Sequence, residues 1–311
     1  MRATLLALAL LGSCDPAGLA PPIEAEPARR PEPPRFDCAL AGPARALEGA
    51  APALAPGALA VHDTGGRAHL HRLDAPSEPP IALDAGVLAL ARHGDGWIAV
   101  QPERALALDA AGASAWEVPL GRSASHAALA LDESHAWIAI EGDDGANLGA
   151  LALEDRRLGA WAPLASGPGA LLVAPGRGGR AGGALHDAEG APLEAPGPPL
   201  ALAGPAVVFT ARDRTGAWVD GPTPARVTRG EPAPSAVHAT ALGARILVAY
   251  TAEEDLFVQP ARAGEGALGE PLLVAPEAVA AGLAAEGERF WIAWVERGGA
   301  VRVRAGECRG D

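Results

Sequence analysis

Short apolar runs alternate with glycine-rich and polar turns along most of the chain after residue 35. The most regular runs hold four mainly aliphatic or aromatic residues, and a second short apolar segment with a tight turn precedes most of them: 58–61, 97–100, 137–140, 207–210, 246–249 and 291–294. Such runs, bounded by turn residues, are typical of strands, and two joined by a tight turn form a hairpin. The pattern therefore predicts a succession of β-hairpins.

The spacing of these runs defines a repeat. Successive runs begin 39 and 40 residues apart in the first half, and 39 and 45 residues apart in the second half. The 70 residues between positions 137 and 207 leave room for one less regular unit around residues 171–185. Repeats of about 40–45 residues with four strands each are typical of β-propeller blades. We therefore expect an all-β propeller of seven blades, with six or eight blades as alternatives.

The two ends of the repeat region predict how the ring closes. After residues 291–297 only one further strand, residues 301–305, precedes Cys308, so the last blade lacks a strand. A lone apolar strand, residues 36–40, lies at the other end and contains Cys38. If this strand completes the last blade, the N- and C-terminal strands close the ring and remove the exposed sheet edges.

Composition agrees with a strand-rich domain. The chain has 39 Gly and 30 Pro among 311 residues, and these residues interrupt every candidate amphipathic helix. Apolar residues make up 49% of the chain, which is enough for one large core. The net charge of −13 argues against a nucleic-acid partner and against an anionic lipid surface.

The N-terminus carries a targeting signal. Arg2 precedes an apolar run, residues 3–11, that is too short to span a bilayer. The run ends in the sequence LGSC at residues 11–14. This segment resembles the lipobox of bacterial lipoproteins, in which the cysteine is lipidated and becomes the first mature residue. The resemblance implies a signal peptide over residues 1–13 and a lipid on Cys14, with an ordinary secretory signal as the alternative.

Residues 14–35 have the composition of a tether. They contain seven prolines interleaved with charged residues, which favours an extended polyproline conformation. At about 3.1 Å per residue the segment spans on the order of 60 Å. We expect residues 36–311 to form one propeller domain outside the cytoplasm, held in the bacterial cell envelope by the lipid. Asp15 resembles an inner-membrane retention signal, but the choice between inner and outer membrane stays open.

Three cysteines leave one natural pair. With Cys14 assigned to the lipid by resemblance, Cys38 and Cys308 remain, one at each end of the folded region. An exported compartment permits disulfides. We expect a Cys38–Cys308 disulfide that makes the two ends of the domain neighbours. A zinc site is the less favoured alternative, because no nearby Cys or His has ligand spacing.

Two segments indicate the type of blade. Residues 107–116 and 152–161 contain Ala and Asp followed by Gly and then Trp, and both resemble the repeats of quinoprotein-like propellers. The resemblance covers a small part of the chain and implies no cofactor, and none is expected. Membrane-anchored propellers of this kind include one that works as a scaffold.

Two histidines are candidates for a site at the channel mouth. His126 and His238 occupy similar places at the start of strands that we expect to be innermost, so they would lie on one rim. There they would share a metal ion or act as acid and base. The alternative, which we favour, is two solvated loop histidines.

A second histidine group surrounds a turn. His62, His69 and His71 flank residues 63–66, and His69 and His71 share one face of a strand. Three imidazoles suit zinc or copper. We favour a polar hairpin face, because no carboxylate position is fixed and the strand is expected to lie outside the channel.

Three further segments have a plainer interpretation. The acidic loop 141–147 lacks the ligand alternation of a calcium loop and predicts a solvated turn. The Gly-Arg segment 176–183 lacks the residues that complete a phosphate loop and predicts a flexible loop. The tripeptide at 309–311 is attributed to chance in an Arg- and Gly-rich chain.

These observations leave two functional hypotheses. The first is a membrane-anchored binding or scaffold module for a protein or glycan partner, without catalysis. The second is an envelope hydrolase or lyase that uses channel-mouth residues, with or without a metal. The fold supports both. A channel filled by Ala and Leu favours the first hypothesis, and a cluster of polar side chains with a bound metal at its mouth favours the second.

Overall fold

The computed structural model describes residues 36–210, 216–228 and 234–309, and it forms a seven-bladed propeller. Each blade is an antiparallel sheet of four strands, and two blades carry one additional short strand. The first strand of every blade contacts the first strands of both neighbouring blades, so the sheets close into a ring. The prediction of an all-β propeller with seven blades is confirmed. Within the described ranges, no helix is long and apolar enough to cross a membrane.

The chain first forms β1 (Asp37–Leu47), which belongs to the last blade, and then builds the blades in order. From the axis outward, blades 1 to 3 consist of β2 (Ala50–Ala55), β3 (Ala58–His62), β4 (Ala68–Arg72) and β5 (Ile81–Ala82); β6 (Ala89–His93), β7 (Gly96–Val100), β8 (Arg104–Leu108) and β9 (Ser114–Pro119); and β10 (His126–Leu131), β11 (His135–Gly142), β12 (Gly145–Ala152), β13 (Arg157–Leu158) and β14 (Ala162–Pro163).

The remaining blades follow the same order. Blades 4 to 7 consist of β15 (Leu171–Ala174), β16 (Arg177–Arg180), β17 (Leu185–Asp187) and β18 (Pro192–Leu193); β19 (Pro199–Ala203), β20 (Ala206–Thr210), β21 (Ala217–Val219) and β22 (Ala225–Arg226); β23 (Ser235–Leu242), β24 (Arg245–Ala252), β25 (Asp255–Arg262), β26 (Gly266–Ala267) and β27 (Leu272–Ala275); and β28 (Ala278–Glu286), β29 (Arg289–Glu296), β30 (Val301–Arg309) and β1.

The repeating apolar run of the sequence is the second strand of a blade. This strand pairs on both edges and is covered on both faces by neighbouring blades, so nearly all its residues are apolar. In β7, for example, all five residues are buried. The irregular unit around residues 171–185 is blade 4, whose second strand is β16.

The last blade closes as predicted. β1 pairs antiparallel with β30, with Cys38 opposite Cys308, and the two cysteines form a disulfide with their Cα atoms 4.0 Å apart. The strand is longer than the predicted residues 36–40. It passes a bulge between Ala41 and Arg45 and ends at Leu47, which is buried in the core between blades 7 and 1.

An aspartate turn recurs in three blades. Asp109 accepts hydrogen bonds from the backbone N–H groups of Ala111 and Ala113, both at 2.9 Å, and Gly112 takes a φ of 81° in the same turn. Asp63 and Asp187 make the same turn. The carboxylate accepts hydrogen bonds from N–H groups of the turn. The sequence Asp-x-x-Gly therefore stabilises the reversal of the chain locally.

Tryptophan side chains join neighbouring blades. The indole N–H of Trp97 in blade 2 donates to the carbonyl of Pro56 in blade 1 at 3.2 Å. The indole N–H of Trp161 in blade 3 donates to the carbonyl of Leu120, after blade 2, at 3.1 Å. Each ring adds apolar area and one directional contact between blades.

Candidate binding site in the central channel

The seven inner strands surround a channel that has two cavities in series. We call the end at which the inner strands begin the upper face and the end at which they finish the lower face. The upper cavity has a volume of about 560 Å³ and the lower cavity about 630 Å³. Leu54, Leu90, Leu129 and Leu283 line both cavities and therefore mark the middle of the channel.

The channel wall consists largely of strand edges. On β10, residues 126–129 line the upper cavity and residues 129–131 line the lower cavity. Successive side chains of a strand point to opposite faces, so consecutive residues line a cavity together only if the backbone edge forms its wall. Each inner strand ends its sheet and pairs with one neighbouring strand. Its other edge therefore faces the channel.

Most side chains along this wall are small and aliphatic. Ala, Leu, Gly, Pro and one Val supply most of the lining of the two cavities. The exceptions are His126, Glu141 and His238 in the upper cavity, and Arg92, Thr240 and Glu286 in the lower cavity. A ligand in the channel therefore meets backbone amides and small apolar groups, with polar side chains at a few defined places.

His126 lies at the upper mouth, as the first residue of β10. Its side chain is 74% exposed, and its Nδ1 lies 3.2 Å from Oγ of Ser125 and 3.8 Å from Oε2 of Glu141. Ser125 also donates a hydrogen bond to the carbonyl of Glu141 at 3.1 Å. These contacts orient the imidazole through one nitrogen.

His238 lies in the same cavity on a different blade. It is the fourth residue of β23, and a bulge between Ser235 and His238 precedes it. Burial lowers the pKa of His238, which favours the neutral form of its ring. The structure thus places both predicted channel histidines in one cavity, on blades 3 and 6.

Arg180 is a member of this site that the sequence did not indicate. Its side chain is 7% exposed, forms an ion pair with Glu141 and donates through Nη1 to the carbonyl of Gly169 at 2.9 Å. The prediction of a flexible loop for residues 176–183 is wrong, because β16 and its turns occupy the segment. The interpretation of residues 141–147 as a solvated turn holds only for the exposed turn between β11 and β12, since Glu141 is paired.

The three histidines of the second predicted group, His62, His69 and His71, do not form one cluster. Nε2 of His62 lies 2.9 Å from both N and O of Val87, and His62 lines a neighbouring cavity of about 360 Å³ that also contains His126. His69 contacts Asp63 at 3.1 Å and lowers the pKa of that carboxyl group. Burial, and then the charge of Arg45, lower the pKa of His71. Within the part of the chain that the structure describes, no group of three or more His, Cys, Asp or Glu side chains is placed to hold a metal ion.

The geometry around His126 differs from that of a nucleophilic triad. In a triad the hydroxyl and the carboxylate contact opposite nitrogens of the imidazole. Here Ser125 and Glu141 both approach Nδ1. The arrangement therefore orients a hydrogen-bonding imidazole at the mouth of the channel.

The comparisons with known proteins support the fold. No family model matches the sequence, and no curated protein sequence matches it. Among solved structures, the Neurospora crassa Pan2 WD40 domain aligns with a TM-score of 0.53 and 10% identity, over 88% of this chain and 95% of that one. Kluyveromyces lactis Hsv2 aligns with a TM-score of 0.50 and 13% identity, over 78% of this chain and 89% of that one.

A third structure, BamB from Moraxella catarrhalis, aligns with a TM-score of 0.46 and 16% identity, over 80% of this chain and 81% of that one. Identities this low carry information on fold alone, and a TM-score below 0.5 adds no argument. The fold and the channel together define the class: a closed seven-bladed β-propeller, similar in fold to WD40 domains, with an accessible central channel.

Proposed function

We propose that this protein is a lipid-anchored binding or scaffold module of a bacterial cell envelope that holds a protein partner, or a glycan, at its propeller. The observation that supports binding is the channel wall of strand edges and small aliphatic side chains. Such a surface offers a ligand backbone hydrogen bonds and apolar contact.

The proposed location depends on two features. The lipobox-like residues around Cys14, and the tether, lie outside the described residues, and the anchor is proposed from sequence. The Cys38–Cys308 disulfide lies within the described residues and favours an oxidising compartment such as the envelope. Inner-membrane and outer-membrane anchoring both fit these features.

Metabolic labelling tests the anchor. Cells that express the full chain with labelled palmitate should yield a labelled protein in the membrane fraction. The Cys14→Ala variant should lose the label and leave that fraction, whereas Cys38→Ala with Cys308→Ala should keep the label. A labelled Cys14→Ala protein would contradict the proposed lipidation.

Capture from solubilised membranes tests binding. The full-length protein should retain a defined partner after cross-linking. A variant of the upper mouth, His126→Ala with Glu141→Gln, should retain at least about tenfold less, equivalent to about 1.4 kcal/mol. Arg156→Ala, an exposed change in the outer part of blade 3, is the matched control. Equal capture by both variants would place the partner elsewhere.

A hydrolase or lyase is the second candidate. The observation in its favour is that His126, His238 and Glu141 line one cavity. Replacing both histidines with Gln should then abolish turnover of ester or glycoside substrates by the purified protein. Turnover that survives this double change would remove the catalytic hypothesis for these residues.

A further inference from the structure

We infer, on the basis of the proposed binding function, that the channel takes an extended peptide segment of the partner, which pairs with the inner edge of β10 as an added strand. The inference specifies the partner as a protein rather than a glycan. It also specifies the binding surface. The backbone groups of β10 make the main contacts with the peptide, and side chains add to them.

β10 is the inner strand best suited to accept a further strand. All six of its residues, His126 to Leu131, line the channel. Its ladder with β11 runs without a bulge from His126 opposite Glu141 to Leu131 opposite Ala136. A regular ladder on one side keeps the backbone straight, so the N–H and C=O groups of the other edge are evenly spaced for pairing. At about 3.3 Å per residue this edge is roughly 20 Å long.

The channel has room for such a strand. Across it, β28 contributes residues 281–286, which include Gly282 and three alanines. Because the side chains on the far wall are mostly small, the space beside β10 is open. The two cavities in the channel have volumes of about 560 and 630 Å³. Backbone amides in a confined space must be satisfied by water or by another backbone. A peptide strand supplies those hydrogen bonds together with apolar side chains.

The neighbouring side chains define the sequence that fits. Three alanines and two leucines, residues 127–131, flank the edge of β10, so a paired peptide meets an apolar wall whose shallow positions at the alanines suit small aliphatic residues. His126, oriented by Glu141, offers one polar contact at the upper end. Proline cannot donate to a ladder. The seven prolines in residues 14–35 of this chain make that segment a poor occupant, which favours a segment from another protein.

A random peptide selection tests this inference. The full-length protein, with its disulfide intact, is immobilised and used to select from phage-displayed linear heptapeptides. Selected peptides should be extended, proline-poor and rich in small aliphatic residues, and they should bind in fluorescence anisotropy as synthetic probes. N-methylation of alternate backbone nitrogens keeps every side chain but removes the hydrogen-bond donors. Two methylated peptides are compared, one modified at the odd positions and one at the even positions. Only one of these sets of N–H groups faces β10, and its methylation should weaken binding by at least about tenfold.

Two glycine variants provide the matched controls. Gly282 lines the upper cavity, and an added Cβ there would meet only Leu54 of β2 at 3.7 Å, so Gly282→Trp places a large ring beside the upper cavity, where blades 7 and 1 adjoin. Gly298 lies in an exposed turn with nothing within 4 Å of an added Cβ, so Gly298→Trp adds the same ring elsewhere. Gly282→Trp should lower affinity by at least about tenfold, and Gly298→Trp by less than about twofold. Thermal unfolding of both variants checks that each is folded.

The outcomes separate this inference from the proposed function. Selection that yields no binding peptide, or only peptides that tolerate Gly282→Trp and N-methylation, overturns the inference. If Gly282→Trp still captures the membrane partner, the partner binds outside the channel and the inference fails while the binding function stands. If peptides bind in the channel but no membrane partner is captured, the proposed function fails instead.

Discussion

Blade 7 and blade 4 share one strand order but differ in how they are held together. The strands of blade 7 have 9, 8, 9 and 11 residues from the axis outward, and its second strand buries Phe290, Trp291 and Trp294. The strands of blade 4 have 4, 4, 3 and 2 residues, and its second strand consists of two glycines between two arginines. Blade 7 is closed by apolar packing and a disulfide, whereas blade 4 combines a small apolar cluster shared with blade 5 with polar contacts to both of its neighbours.

The difference shows that a blade with short strands can rely on a small apolar cluster shared with a neighbouring blade and on polar contacts. In blade 4, Arg177 donates to the carbonyl of Gly204 at 3.0 Å, and Arg180 joins Glu141 of blade 3. The glycines let neighbouring groups approach closely, since a Cβ on Gly178 would lie 3.2 Å from Cδ1 of Leu148. The ring positions this blade from both sides, so its sequence is free to depart from the repeat.

The largest expected effect concerns blade 7. The disulfide joins residues separated by 270 positions, for which the chain-entropy model gives a stabilisation of roughly 5 kcal/mol as an upper value. Cys38→Ala with Cys308→Ala should lower the free energy of unfolding by about 3–5 kcal/mol in urea denaturation. Reduction of the wild-type protein should give a similar loss. A loss below about 1 kcal/mol in both would mean that strand pairing alone closes the ring.

The next effect concerns the arginine of blade 4. Arg180→Ala removes a buried cation and leaves Glu141 and the carbonyl of Gly169 without the partner that Arg180 provides. The free energy of unfolding should therefore fall by about 2–4 kcal/mol. Arg180→Lys should recover part of the loss, because it keeps the charge but not the forked geometry. Urea denaturation of both variants measures the effect. Equal stability of Arg180→Ala and wild type would show that blade 4 is held by packing.

A smaller effect is expected at the glycines of blade 4. A Cβ on Gly179 would lie 2.3 Å from the carbonyl oxygen of Ala184, so Gly179→Ala forces the third strand to move. We expect a loss of about 1–3 kcal/mol. Gly298→Ala, where nothing lies within 4 Å, should change stability by less than about 0.5 kcal/mol. Thermal unfolding of the pair makes the comparison.

The smallest effect is a pH dependence in blade 3, which packs against blade 4. Partial burial alone would raise the pKa of Asp132, but hydrogen bonds from Trp137, Ser134 and His135 lower the pKa to about 2. Because the pKa is lower in the folded protein, the stabilisation is present above about pH 4 and is lost as the pH falls towards 2. Asp132→Asn should cost about 1 kcal/mol at pH 7 and progressively less as the pH falls from about 4 to 2. Denaturation of both proteins across pH 2–7 measures it, and a constant difference would contradict this assignment.

The fold could be predicted because its signals are local and repeated. The apolar run that begins at Trp97 predicts a buried strand without further information. The interval to the next run predicts the length of a blade. Blade 4 was found only by its interval, because β16 has glycine and arginine where other blades have aliphatic residues. The closing strand was predicted from Cys38 and Cys308, but its extent to Leu47 was not, since the bulge after Ala41 interrupts the pattern.

The candidate site was less accessible from sequence. His126 and His238 were singled out because both lie near the start of an inner strand, a position that the repeat itself defines. The pairing of Arg180 with Glu141 joins residues 39 positions apart on different blades, and no local pattern marks it. The channel wall of backbone edges has no sequence signal, since it arises from the ring and not from any residue type.

The Cys38–Cys308 bridge also determines how the molecule would carry tension. A pull on the chain ahead of Phe36 reaches Cys38 two residues later, before it can separate the remaining pairs between β1 and β30. The covalent bond passes the load directly to β30, the third strand of blade 7. Hydrogen bonds that would otherwise open one at a time are thereby shielded, and an oxidised domain held from its N-terminal side resists unzipping from that end.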